Sequence, residues 1–198
     1  MEKANKIIKL LIAVLAFAVV MVGASRLYQS LSRQMEDSGA AVVTQGTQPE
    51  STRETQPPTP APDFTVYDKE GGAHTLSDFQ GTPVVLNFWA SWCGPCTGEM
   101  PEIQSFYDSY GDKIQFLIVN LTDGSQETVD TASAFLAEQG YTFPVYYDTQ
   151  MEGAIAYGVN AIPVTYFIRA DGTLAAWTQG AMTDSQLQKG IDLLLEDA

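Results

Sequence analysis

Cysteine occurs twice in this 198-residue chain, as Cys93-Gly94-Pro95-Cys96, and no other pair of its side chains has so plain a chemical use. Two thiols at that spacing can exchange electrons with a disulfide, contribute to a metal site, or close a small structural loop. A loop this short restricts the unfolded chain little, and nothing else in the chain resembles a disulfide-stapled scaffold. Zinc wants four ligands, and the pair has only the distant His74 to add. The common haem-attachment motif needs a histidine right after the second cysteine, where this chain has Thr97. A redox pair is the reading that the residues favour.

The neighbouring residues predict how the thiols are held. Pro83 to Ala90 is rich in β-branched and aromatic residues, as a buried strand should be, and Trp92 directly precedes the first cysteine. After Cys96 the apolar residues Met100, Ile103, Phe106, Tyr107 and Tyr110 recur at helical spacing. The cysteines therefore belong at a helix N-terminus, where unpaired N–H groups and the helix dipole favour a thiolate. Of the tryptophans beside them, Trp89 and Trp92, one is expected to pack inside and one to form the rim where a partner docks.

The rest of the chain supplies a frame for that turn. Residues 64–67 and 74–76 read as a hairpin across Gly71-Gly72, followed by a strand over 84–90 and a helix over 96–110, interrupted or kinked at Pro101. Next come a strand over 114–120, a helix over 126–139 burying Val129, Ala132 and Leu136, a strand over 144–147 and a short helix over 151–157. Residues 164–168 and 173–177 pair around Asp171-Gly172, and Thr183-Asp184-Ser185-Gln186 is a capping box opening a last helix that buries Leu187, Ile191, Leu194 and Leu195. The class is α/β, a mixed central sheet flanked by helices.

Ahead of this domain, Lys3, Lys6 and Lys9 precede fifteen uncharged residues, Leu10 to Ala24. That order directs the following chain out of the cytoplasm. With Ile7 and Ile8 included and Lys9 snorkelling, the apolar stretch approaches the lower limit for crossing a bilayer. Residues 1–24 are thus expected to be a single anchor in a bacterial cell membrane; cleavage after Ala24 would instead yield a secreted protein. Residues 25–60, rich in Gln, Thr, Ser, Glu and Pro, read as a tether, and 61–198 as the folded domain. From residue 61 onward 19 acidic residues face only Lys69, Lys113, Arg169 and Lys189, which argues against a nucleic-acid partner.

Several segments together resemble the thioredoxin superfamily, and within it the TlpA/ResA type of membrane-anchored or exported thiol-disulfide oxidoreductase. They are Pro62-Asp63-Phe64, Leu76 to Gly81, Leu86 to Cys96, Glu99-Met100-Pro101, Phe143-Pro144-Val145, Tyr157-Gly158-Val159, Ile162-Pro163 and Gly180 to Thr183. The resemblance implies a thioredoxin-like fold with an N-terminal β-hairpin extension, and a redox-active Cys93–Cys96 disulfide with no other cofactor. It implies that Pro163 is a cis residue facing the disulfide and that Ile162 offers backbone groups to an extended substrate, beside Trp92. Where thioredoxins proper carry a buried aspartate this chain has Asn87, so the resemblance points to Glu99 as the proton handler. Its partners would be exported proteins with disulfides, apocytochrome c among them, and a membrane thiol donor of the CcdA/DsbD type. Two other readings use the same cysteines: a redox-sensing or binding module, and a peroxidase of related fold.

Overall fold

A computed structural model describes residues 58–196. The expected anchor over 1–24 and nearly all of the tether lie outside the described residues. Among those described, no helix is long and apolar enough to cross a membrane.

The elements are β1 (Thr65–Tyr67), β2 (Ala73–Thr75), β3 (Val84–Trp89), α1 (Gly94–Tyr110), β4 (Gln115–Asn120), α2 (Val129–Gln139), β5 (Val145–Tyr147), α3 (Glu152–Ala156), β6 (Val164–Ile168), β7 (Leu174–Gln179) and α4 (Asp184–Leu195), with a 3-10 turn at Leu76–Phe79. They build one seven-stranded sheet in the order β2-β1-β5-β4-β3-β6-β7. β3 pairs parallel with β4 and antiparallel with β6, so the sheet is mixed, as expected. β1 and β2 form the N-terminal hairpin, which joins the sheet where Tyr67 meets Tyr147 of β5.

All six residues of β3 are buried, because helices or strands cover both of its faces. Its side chains alternate with the pleat. Val85 and Trp89 enter one core with Met100 and Ile103 of α1 and Leu187 and Ile191 of α4, while Val84, Leu86 and Phe88 enter the other with Phe64, Val66 and Leu76. Trp89 is fully buried and Trp92 is 53% exposed, which divides the two tryptophans between core and rim.

The two longer helices differ from expectation in their bounds and packing. α1 starts at Gly94, with Cys93 as its N-cap, and runs through Pro101 as one assigned helix, since a proline there removes one hydrogen bond of a long ladder. α2 starts at Val129 and not Gln126, because the Asp123 Oδ1 collects the N–H groups of Ser125, Gln126 and Glu127 into a turn before Thr128 caps the helix. On α2 only Ala132 is buried, Val129 and Leu136 being half-covered at the rim of the core. The chain also joins the domain slightly ahead of the expected start: Leu174 donates to the Thr59 carbonyl and Ala61 to that of Gly172.

Candidate active site

The site begins where β3 stops. After Trp89, the turn Ala90-Ser91-Trp92 delivers Cys93 to the N-cap of α1, and Cys93 is bonded to Cys96 one turn on, with Cα atoms 5.2 Å apart. The Cys93 sulfur accepts the Cys96 N–H at 3.2 Å, using one of the donors that a helix N-terminus leaves unpaired. The same donor and the helix dipole would stabilise a thiolate on Cys93 once the disulfide is reduced. Cys93 is 5% exposed and Cys96 is fully buried, so an attacking group reaches Cys93 first.

Opposite the disulfide, the Ile162–Pro163 peptide bond is cis, and the Ile162 carbonyl oxygen lies 3.7 Å from the Cys93 sulfur. Trp92, Pro95, Leu121, Val159, Ala161 and Ile162 wall a cleft over Cys93. None of its lining side chains is charged. An uncharged cleft of this kind can admit an uncharged stretch of polypeptide.

Glu99 sits one turn after Cys96 and is buried between α1 and the sheet. Its carboxylate accepts the Asn87 Nδ2 at 2.9 Å through one oxygen and the Met182 N–H at 2.9 Å through the other. Burial raises its pKa above the ordinary carboxylate range; the hydrogen bonds from Met182 and Asn87 act the other way and are outweighed. A buried carboxyl whose pKa is raised holds a proton more readily than an exposed one. Asn87 also donates to the Thr165 hydroxyl at 2.9 Å, and its Oδ1 is buried without a partner. The structure thus lines one cleft with Trp92, Cys93 and Ile162, keeps their neighbours Cys96 and Pro163 buried, and buries Glu99 one turn further along α1. His74 stands apart on β2, paired with Asp68 at 3.2 Å.

Sequence reasoning missed Glu127. This fully buried carboxylate accepts the Ser91 N–H at 2.9 Å, the Ser91 hydroxyl at 2.7 Å and the Asn120 Nδ2 at 2.7 Å. It therefore fixes the turn that carries Trp92 and Cys93. Reading α2 from Gln126 put Glu127 in a first helical turn, where a solvated acid is ordinary, and hid this role.

The sequence profile of the AhpC/TSA family matches residues 57–177. The thiol-disulfide oxidoreductase ResA of Geobacillus thermodenitrificans is 35% identical over 133 residues, which span 67% of this chain and 74% of that protein. ResA of Oceanobacillus iheyensis is 38% identical over 133 residues, 65% of this chain and 67% of that one. The crystal structure of StoA from Bacillus subtilis superposes with a TM-score of 0.58 at 30% identity, covering 68% of this chain and 99% of that one. In sequence and in fold, then, the chain belongs to the AhpC/TSA family and, within it, to the ResA-like thiol-disulfide oxidoreductases.

Proposed function

We propose that the chain reduces disulfides in exported polypeptides outside the cytoplasm, with apocytochrome c among its substrates and a membrane thiol transporter of the CcdA/DsbD type as electron donor. The observation that carries this reading is the position of Cys93, at the N-cap of α1 in an uncharged cleft beside the Ile162 carbonyl. The basic-then-apolar order of residues 1–24 supports the location, and the resemblance to the ResA branch supports the substrate and donor.

In the reduced protein the Cys93 thiolate attacks one sulfur of a substrate disulfide. A Cys93–substrate disulfide forms and the first substrate thiolate leaves, taking a proton from solvent. Cys96 then gives its proton to Glu99 and attacks the Cys93 sulfur, which re-forms the Cys93–Cys96 bond and expels the second substrate thiolate. That thiolate takes a proton in turn from Glu99. Two electrons reach the substrate, and the donor dithiol restores the pair. The cysteines carry the electrons, so no further cofactor takes part.

Turnover separates this reading from a redox sensor. With a regenerating dithiol, each molecule should reduce many equivalents of a disulfide-bonded exported protein. A single change of state followed by no further reduction would favour the sensor.

A further inference from the structure

The disulfide cleft does not end at Ile162. Its wall of Val159, Asn160 and Ala161 is also one wall of a second recess, lined in addition by Tyr157, Val164, Tyr166, Trp177 and Gln179. Trp177, on β7, is 62% exposed, which is unusual for so large an apolar side chain. Its ring stacks on Tyr166 at 6.2 Å between centroids, and Tyr166 in turn meets Tyr157 edge-on at 4.7 Å. The three rings thus form a rigid aromatic platform, and the one at its open end is left without cover among the described residues. The Tyr157 hydroxyl is buried and finds no hydrogen-bond partner there.

We propose that this recess is a second binding site for the substrate polypeptide, taking an apolar or aromatic side chain that flanks the disulfide under attack. The proposal rests on the oxidoreductase reading above. Continuity supports it, since a chain extended past Ile162 meets the shared wall and then the platform. Charge selects the occupant: the protein carries a net charge of −14, yet neither recess has a single charged lining residue. The second recess, uncharged, edged by the Asn160 and Gln179 amides and backed by the Tyr166 and Trp177 rings, offers stacking to an uncharged side chain, an aromatic one above all, and nothing to hold a basic peptide drawn by the acidic surface.

The test compares two oxidised peptides of the same length with an internal disulfide, one flanked by Leu and Phe and the other by Ser and Gly, with 2-hydroxyethyl disulfide as a small uncharged reference. Wild-type protein should show kcat/KM about tenfold higher for the apolar flank, a preference of the size that one well-packed side chain supplies. In Trp177→Ala the ratio of the apolar peptide to the reference should fall by about the same factor, and Trp177→Phe should restore most of it. Equal preference in wild type and Trp177→Ala, or no preference in wild type, would overturn the proposal. Binding of the apolar peptide with serines in place of its cysteines, followed by the Trp177 indole NMR signal, keeps the two readings apart. Binding without any turnover would sink the oxidoreductase reading and leave the site, whereas turnover with an unmoved indole signal would sink the site alone.

Discussion

Glu99 occupies a buried position where its charge costs free energy. Burial raises its pKa, so the fold favours the protonated form, and the stability this contributes is complete below the unfolded pKa of a glutamate and lost as pH rises through the folded one. Glu99→Gln should therefore gain stability relative to wild type as pH rises across that window, measured as urea midpoints over a pH series; a difference that is flat with pH would contradict the assigned burial cost. The amide of that variant also offers a donor where Asn87 now donates, and the unpartnered Asn87 Oδ1 allows the Asn87 amide to turn and accept it. In the proposed thiol chemistry the charge of Glu99 has two opposed effects. As an anion it would disfavour the thiolate, and in the proposed mechanism it is the base for the proton of the resolving cysteine. Glu99→Gln should make Cys93 alkylate with iodoacetamide at lower pH and yet slow the release of reduced substrate in a single turnover; unchanged curves in both assays would remove Glu99 from the chemistry. The cysteine pair was legible in the sequence by residue type and spacing, whereas Glu99 and Pro163 stood out only through the family resemblance. Glu127 was not, since its partners Ser91 and Asn120 are 36 and 7 positions away and meet it only in the folded chain.

At the scale of elements, the reactive turn depends on parts that carry no chemistry. Glu127→Ala would leave the Ser91 N–H, the Ser91 hydroxyl and the Asn120 amide without their acceptor in a buried place. That should cost about 3 kcal/mol in denaturant unfolding; a loss below about 1 kcal/mol would mean that water replaces the carboxylate at little expense. The packing of α4 on β6 sets a different limit. A methyl group at Gly190 would run into the Phe167 ring, so Gly190→Ala should cost about 1–3 kcal/mol although alanine is the better helix former. An unfolding midpoint at or above that of wild type would contradict this close approach. These two residues also show where pattern reading stops. Hydrophobic period located β3, α1 and the capped α4, since burial on fixed faces writes itself into the sequence. The start of α2 went unseen, because Asp123 competes for the N–H groups of a segment whose composition suits a helix.

At the scale of the whole molecule, the expected anchor is open to a direct test. If residues 1–24 remain as an anchor, the full chain should pellet with membranes and resist alkaline carbonate extraction, and a soluble exported form beginning at Ser25 would refute anchoring. Mixed-sheet topology puts the end of β3, the N-terminus of α1 and the cis bond before β6 at one edge of the domain, which is why residues as far apart in sequence as Cys93 and Ile162 line one cleft. The central claim is that Cys93 attacks and Cys96 resolves, and disulfide trapping in the native host tests it most directly. Cys96→Ser should accumulate mixed disulfides with exported proteins, because the first step proceeds and the second has no thiol, while Cys93→Ser should accumulate few. Trapping predominantly through Cys96 in the Cys93→Ser protein would contradict the account.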